Sequence, residues 1–335
     1  MCCLMTIAFY LILAGIILKA YTKLSMGWCR ANVCLVGKTA LVTGGNSGIG
    51  YETALHLASR GCRVIIADVA DSEASKKRIS EETGNCNIVC KKFDLSSLKS
   101  IREFAEDITK SESRLDILIN NAGAAGFVDT YTDDGMLKGM QINHFGSFLL
   151  THLLVDILKK TPKSRVIFVS SLMSFLNQLE TVEDINRPPK VEDKNRHTLI
   201  EYNNSKLCNI ISARGFSRRL LKHDITVNVV HPGAVCTAIF SMARGRMGGS
   251  SWTSRIGHMV SDSSIWMFGK TAVEGAQTTL HCAIDKSVNG VSGQFFSDCK
   301  IYWKVPAKAA DESFCDAVWA ESEKLVKLTA EEKLQ

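Results

Sequence analysis

Tyr202-Asn203-Asn204-Ser205-Lys206 sets a phenol and an ammonium four positions apart, on one face of a helix. A neighbouring positive charge favours the phenolate, so this pair predicts a Tyr202 that titrates below the ordinary phenol value of roughly 10 and serves as acid or base near neutrality. The spacing alone is weak, because Tyr and Lys one turn apart are commonly a surface pair. Ser170-Ser171 strengthens it: these hydroxyls end an apolar run and so fall at the carboxyl edge of a strand, where open α/β sheets bind ligands. A third constellation is Thr43-Gly44-Gly45-Asn46-Ser47-Gly48-Ile49-Gly50. Its glycines allow a tight turn and close approach to a pyrophosphate, and the following helix N-terminus offers amide donors. Glycine-rich octamers are frequent; the position between a strand and a helix gives this one its weight.

The elements that must carry these groups are short apolar runs alternating with amphipathic helices. Residues 39–43, 63–68, 87–90, 116–120, 165–170 and 225–230 read as strands, with a seventh near 293–296 and a helix from about 47 to 60. Continuous apolar strands separated by helices predict a parallel sheet buried on both faces, wound by right-handed crossovers into an α/β Rossmann-type doubly wound fold. No second strand–helix series or internal repeat is present, so a single catalytic domain is expected. Asp68 ends the second strand, 18 positions beyond Gly50. A carboxylate there accepts hydrogen bonds from the adenosine ribose hydroxyls and repels the 2′-phosphate of NADP. Val69 follows it and no basic residue lies in the glycine turn, so NAD is favoured over NADP. The blander alternative is a solvated carboxylate at a strand end.

Composition narrows the rest. A 46% hydrophobic and 22% charged chain of 335 residues has enough apolar residues for a full core. The net charge of +6 comes without a dense basic block, which argues against nucleic acid. Twelve cysteines are scattered without paired C-x-x-C spacing, so no metal site is expected and reduced thiols facing the cytosol fit best. Residues 1–18 hold no charged side chain, and Lys19, Lys23, Arg30 and Lys38 follow. This predicts an uncleaved membrane anchor over 1–18, at the short end of spanning length, with the rest of the chain cytoplasmic. A signal peptide or a half-inserted helix remains an alternative. The expected organisation is anchor 1–18, basic linker 19–36, catalytic domain 37–310 and helical tail 311–335.

Taken together these motifs resemble the short-chain dehydrogenase/reductase family over roughly residues 36–300. Asp94-Leu95, Asn120-Asn121-Ala122-Gly123, Asn143 within Ile142-Asn143-His144-Phe145-Gly146, and Pro232-Gly233-Ala234-Val235-Cys236-Thr237 match further family motifs in family order. The resemblance implies that Tyr202 transfers the proton and that Lys206 lowers its pKa and holds the nicotinamide ribose. It also implies that Ser171, the second of the serine pair, bonds the substrate oxygen, and that Asn143 fixes a water in a relay reaching Lys206. Gly44, Asn46, Ser47, Gly48, Ile49, Gly50, Asp68, Asp94, Leu95, Asn121, Ala122, Gly123, Pro232, Gly233, Val235 and Thr237 would line the cofactor.

The 31 residues between Ser171 and Tyr202, the N-terminal apolar run and Phe296-Ser297-Asp298-Cys299 followed by Trp303 resemble the retinol dehydrogenase-like group. That group implies a small lipophilic alcohol or aldehyde as substrate, attachment to a membrane such as the endoplasmic reticulum, and homodimers. Many of its members place a basic residue after the second strand and use NADP; Asp68-Val69 departs from that and tilts the expectation to NAD and oxidation. The insert over 176–200 reads as a surface loop, and 237–269 as an apolar substrate lid. A hydroxysteroid dehydrogenase differs only in pocket shape. A non-catalytic NAD-binding scaffold has no need for Asn143, Ser171, Tyr202 and Lys206 together.

Overall fold

The computed structural model describes residues 2–235 and 269–334, without the side chains of 2–9, 11, 12, 14, 18 and 195. The predicted strands become β1 (Thr39–Thr43), β2 (Arg63–Asp68), β3 (Ile88–Lys92), β4 (Ile117–Asn120), β5 (Arg165–Val169), β6 (Thr226–His231) and β7 (Phe295–Ser297), and a short β8 (Lys300–Ile301) follows. They form one sheet in the order β3-β2-β1-β4-β5-β6-β7-β8. All pairs through β7 are parallel, and only β8 runs antiparallel. The order reverses between β1 and β4, so their carboxyl ends open a crevice there.

Burial on both faces explains why these strands read as unbroken apolar runs. Leu41, Ile65, Leu118, Val166, Phe168 and Val227 face one core; Ala40, Val42, Ile66, Ile119, Ile167 and Val230 face the other. The first core closes on a knot of rings in which Phe148, Phe216 and Trp319 meet at centroid distances of 4.8–5.5 Å. Trp319 comes from the C-terminal helix Glu312–Leu325, whose indole lies so close to Gly215 that a Cβ there would fall 2.4 Å from it. The tail therefore packs as part of the core.

One expectation needs correction, and another stands only in part. The insert is more than a loop: Val182–Asn186 forms a helical turn, and the helix Lys194–Leu220 begins inside it, capped by Asp193, whose carboxylate accepts the Arg196 N–H at 2.8 Å. The charged Lys194 and Arg196, part of what suggested a loop, stand exposed in the first turn of the helix that carries Tyr202, and burial begins at His197 and Thr198. The N-terminal run forms a 24-residue helix, Cys2–Ser25, but among the described residues no helix is long and apolar enough to cross a membrane. The expected lid lies almost wholly in the segment outside the described residues.

Candidate active site

The crevice is a cavity of about 840 Å³ lined by the glycine turn, Asp68, Asp94-Leu95, Asn121–Gly123, Ser171, Tyr202, Lys206 and 232–235. Eighteen of the expected site residues line it directly, from Gly44 through Ser171, Tyr202 and Lys206 to Val235. Asn143 stands just behind the wall, and Thr237 lies outside the described residues.

One wall is backbone. Gly44 and Gly48 take φ of +64° and +55°, conformations that L side chains avoid. At Gly50 the constraint is space: a Cβ would sit 2.1 Å from the Gly44 carbonyl oxygen and 2.6 Å from Asn121 Nδ2. Asn121 donates through Nδ2 to the Thr43 carbonyl at 2.9 Å, and the Asn121 and Ala122 N–H groups each donate to Thr43 Oγ1 at 3.0 Å. The Asn-Ala-Gly segment therefore clamps the glycine turn from the neighbouring strand. The helix Gly48–Ala58 starts at this turn with its first amides toward the cavity. Asp68 accepts the Asn46 N–H at 3.3 Å and the Ala70 N–H at 3.1 Å, which holds its carboxylate at the rim. A narrow backbone cradle, a helix N-terminus and a carboxylate at the end of β2 fit an adenine dinucleotide.

The opposite wall is made of side chains. Tyr202 and Lys206 lie on the helix Lys194–Leu220, and Lys206 Nζ donates to the Val169 carbonyl at 3.1 Å and sits 5.4 Å from the Tyr202 ring centre. Burial pushes Tyr202 up to about 12, opposed by a hydrogen bond with Ser171. Burial also pulls Lys206 down to about 8. The phenol expected to be lowered by its lysine is instead raised in the protein alone, because burial disfavours the phenolate.

The two serines divide their work. Ser170 is buried and donates to the Lys206 carbonyl at 2.6 Å, tying β5 to the helix. Ser171 caps the turn Leu172–Leu176, accepts the Met173 N–H at 3.2 Å, and reaches Tyr202. Asn143 lies in a π-helical segment, Gln141–Phe145, between two α-helical pieces. Such bulges recur at functional sites. Its Oδ1 accepts the Ala124 N–H at 2.7 Å, and its Nδ2 donates to the Ala124 carbonyl at 2.9 Å and Ser205 Oγ at 3.1 Å.

Several wall residues were not singled out in the sequence. His231 ends β6, accepts the Leu172 N–H at 3.2 Å and is pushed down to about 4 by burial. Its place at a strand's carboxyl end, before Pro232-Gly233, was the available signal. Phe93, Phe127, Lys138 and Met173 also line the cavity, and nothing in their local sequence marks them, whereas Ile142 lies beside Asn143 in its motif.

A backbone cradle for a dinucleotide facing a Ser–Tyr–Lys wall defines an oxidoreductase acting on a CH–OH group. The chain belongs to the short-chain dehydrogenase family, in its retinol dehydrogenase-like group: residues 38–182 match the family described as short chain dehydrogenase. It is 38% identical to human (Homo sapiens) retinol dehydrogenase 12, covering 88% of this chain and 87% of that protein. It is equally 38% identical to human retinol dehydrogenase 13, over 95% and 92% of the two chains. Among solved structures, a protein of Mycobacterium Paratuberculosis superposes with a TM-score of 0.67 at 27% identity, covering 90% of this chain and 98% of that one. Levodione reductase shares the fold, at TM-score 0.61 and 20% identity, over 78% and 95%.

Proposed function

We propose that this protein interconverts a lipophilic alcohol of the retinol kind and its carbonyl product, with NAD as the preferred dinucleotide, while its N-terminal helix holds it at a membrane. The observation that carries the reading is that Ser171, Tyr202 and Lys206 share one wall of a cavity whose other wall is a dinucleotide cradle. Retinol comes from the names of the relatives. NAD comes from Asp68, with Val69 and Ala70 after it and no cation among the cavity residues of the glycine turn. Membrane attachment comes from the uncharged run 1–18.

Ser171 and Tyr202 together hold the substrate oxygen. Tyr202 takes the hydroxyl proton in oxidation and returns it in reduction. The bound nicotinamide supplies the hydride acceptor or donor. Lys206, with one donor on Val169, keeps the others for the ribose and for the phenol. Beside Gly123, a Cβ position would lie 3.3 Å from both Asn143 Oδ1 and Lys206 Nζ. That gap is where a relay water would pass protons onward from Lys206.

The test is retinol oxidation by membranes carrying the full-length chain, with NAD and NADP compared. Tyr202→Phe lowers kcat by at least about 100-fold, the scale of a lost proton-transfer group, while NAD still binds. Asp68→Ala raises the KM for NAD and narrows the gap to NADP. Equal use of NADP by the wild type sinks the reading of Asp68, and an active Tyr202→Phe variant sinks the mechanism.

A further inference from the structure

Beyond the last parallel strand the chain folds back as β8, with Phe296 opposite Ile301 and Ser297 opposite Lys300. No strand pairs with the outer edge of β8 among the described residues. On this edge Ile301 is 53% and Trp303 77% exposed, between the exposed Lys300 and Lys304, and Lys304 Nζ lies 3.9 Å from the Trp303 ring centre. A single exposed apolar residue would mean little. Here the neighbourhood adds to it, because the hairpin turn is also where the N-terminal segment docks. The Gly27 N–H donates to Asp298 Oδ1 at 3.3 Å, and a Cβ on Gly27 would fall 1.9 Å from the Asp298 carbonyl oxygen. Lys23 pairs with Glu274 at 2.5 Å. The same segment exposes Tyr21, Leu24 and Trp28, so the apolar helix Cys2–Ser25 meets the body of the protein beside this hairpin.

We propose that the β8 hairpin is a second membrane contact, with Ile301 and Trp303 lying in the surface of an anionic bilayer and Lys300 and Lys304 on its headgroups. It rests on the reading of the N-terminal helix as a membrane segment. Tryptophan favours the bilayer interface, where the ring is apolar and the N–H wet. Each lysine near an anionic leaflet adds electrostatic attraction to that surface. A helix alone leaves the domain free to swivel, whereas two contacts fix its orientation. That orientation reaches the cavity: Asp298 also holds Lys270 at 2.6 Å, and the Lys270 N–H bonds the Ala234 carbonyl in the cavity wall at 2.8 Å.

The experiment uses the full-length chain in phosphatidylcholine vesicles with and without phosphatidylserine. The Trp303 signal is taken as the emission difference between wild type and Trp303→Phe. The expected result is flotation with the vesicles, several-fold loss of iodide quenching at Trp303, and quenching instead by lipids brominated near the headgroup. Lys300→Glu with Lys304→Glu restores iodide access while flotation persists. Flotation with Trp303 fully open to iodide overturns the second contact and leaves the helix reading intact. Failure to float overturns both. Shielding that vanishes when the protein is diluted in lipid assigns the edge to a second copy of the chain and overturns the bilayer as its occupant.

Discussion

The two walls of the cavity are held by opposite means. The wall from Gly44 to Gly50 is backbone against backbone, with Gly50 pressed on the Gly44 carbonyl and clamped by Asn121 and Thr43. The wall formed by Ser171, Tyr202, Lys206 and Asn143 is side chains from three separate elements, each locked by its own hydrogen bond. The first recognises a shape common to dinucleotides and tolerates no added atom. The second works through individual protons and tolerates changes of shape far better than changes of chemistry. A substitution on the first wall should therefore fail by displacing cofactor and backbone together, and one on the second should stop turnover with the fold and the cofactor in place.

Gly50→Ala tests that division most severely. Its methyl would lie 2.1 Å from a backbone oxygen, and neither Gly44 nor Asn121 has a free direction in which to retreat. Overpacking of this kind costs roughly 1–3 kcal/mol or more. Dinucleotide affinity, read by quenching of protein fluorescence, is expected to fall at least tenfold together with Tm. Unchanged affinity would show that the cradle is looser than its geometry and break the contrast. The serine pair gives the next largest effect. Ser171→Ala removes a group that touches the reacting oxygen, and kcat should drop on the order of 100-fold, as when one oxyanion donor is lost, with Tm unchanged. Ser170→Ala removes the 2.6 Å bond to the Lys206 carbonyl and should cost about 1 kcal/mol of stability with most of kcat retained. The reverse pattern in steady-state kinetics and thermal melts would exchange the roles of the two serines.

The same contrast explains how much was legible in the sequence. The backbone wall needs glycines and short polar residues in one contiguous stretch, so 43–50 announces itself, and the parallel sheet follows from its unbroken apolar strands. The proton-transfer wall is assembled across the fold, yet Tyr202 and Lys206 share one helix and Ser171 ends a strand, so the pattern survives. What was lost has physical reasons. The start of the Lys194–Leu220 helix was hidden because its first turn is exposed and charged and the next buries polar His197, Thr198 and Glu201, so no apolar periodicity marks it. The antiparallel β8 is two residues long and exposed, too short for any pattern. Desolvation of Tyr202 was invisible because it depends on what packs around the phenol, while its lysine was visible as a letter four places on.

Glu201, the neighbour of Tyr202, offers the finest test, because it joins the two kinds of construction. It is buried on the same helix, close against Gly139 at the start of the helical stretch that carries Asn143, and its Oε1 has no hydrogen-bond partner among the described residues. A Cβ on Gly139 would lie 2.4 Å from Glu201 Oε1, so no larger residue fits between. Burial raises Glu201 from 4.5 to about 7, with Asp129 adding to the rise and the nearby amides of Gly139 and Met140 opposing it. A carboxyl raised on folding holds its proton longer in the native state than in the unfolded chain. Its contribution is therefore complete below pH 4.5 and is lost as pH climbs through about 7. Buried His144, His152 and His231, held near 3, 4 and 4, have the opposite slope: they stay neutral when folded, so the protein loses stability as pH falls below 6.5. The wild type thus loses stability on acidification, and Glu201 only softens that loss. Glu201→Gln removes the carboxyl's titration and leaves the histidines. The variant should gain on the wild type by roughly 1 kcal/mol between pH 6 and 8, or about 2 °C in Tm. A Tm difference that stays flat across that range would mean that Glu201 is already ionised in the folded protein, with the amides of Gly139 and Met140 outweighing its burial.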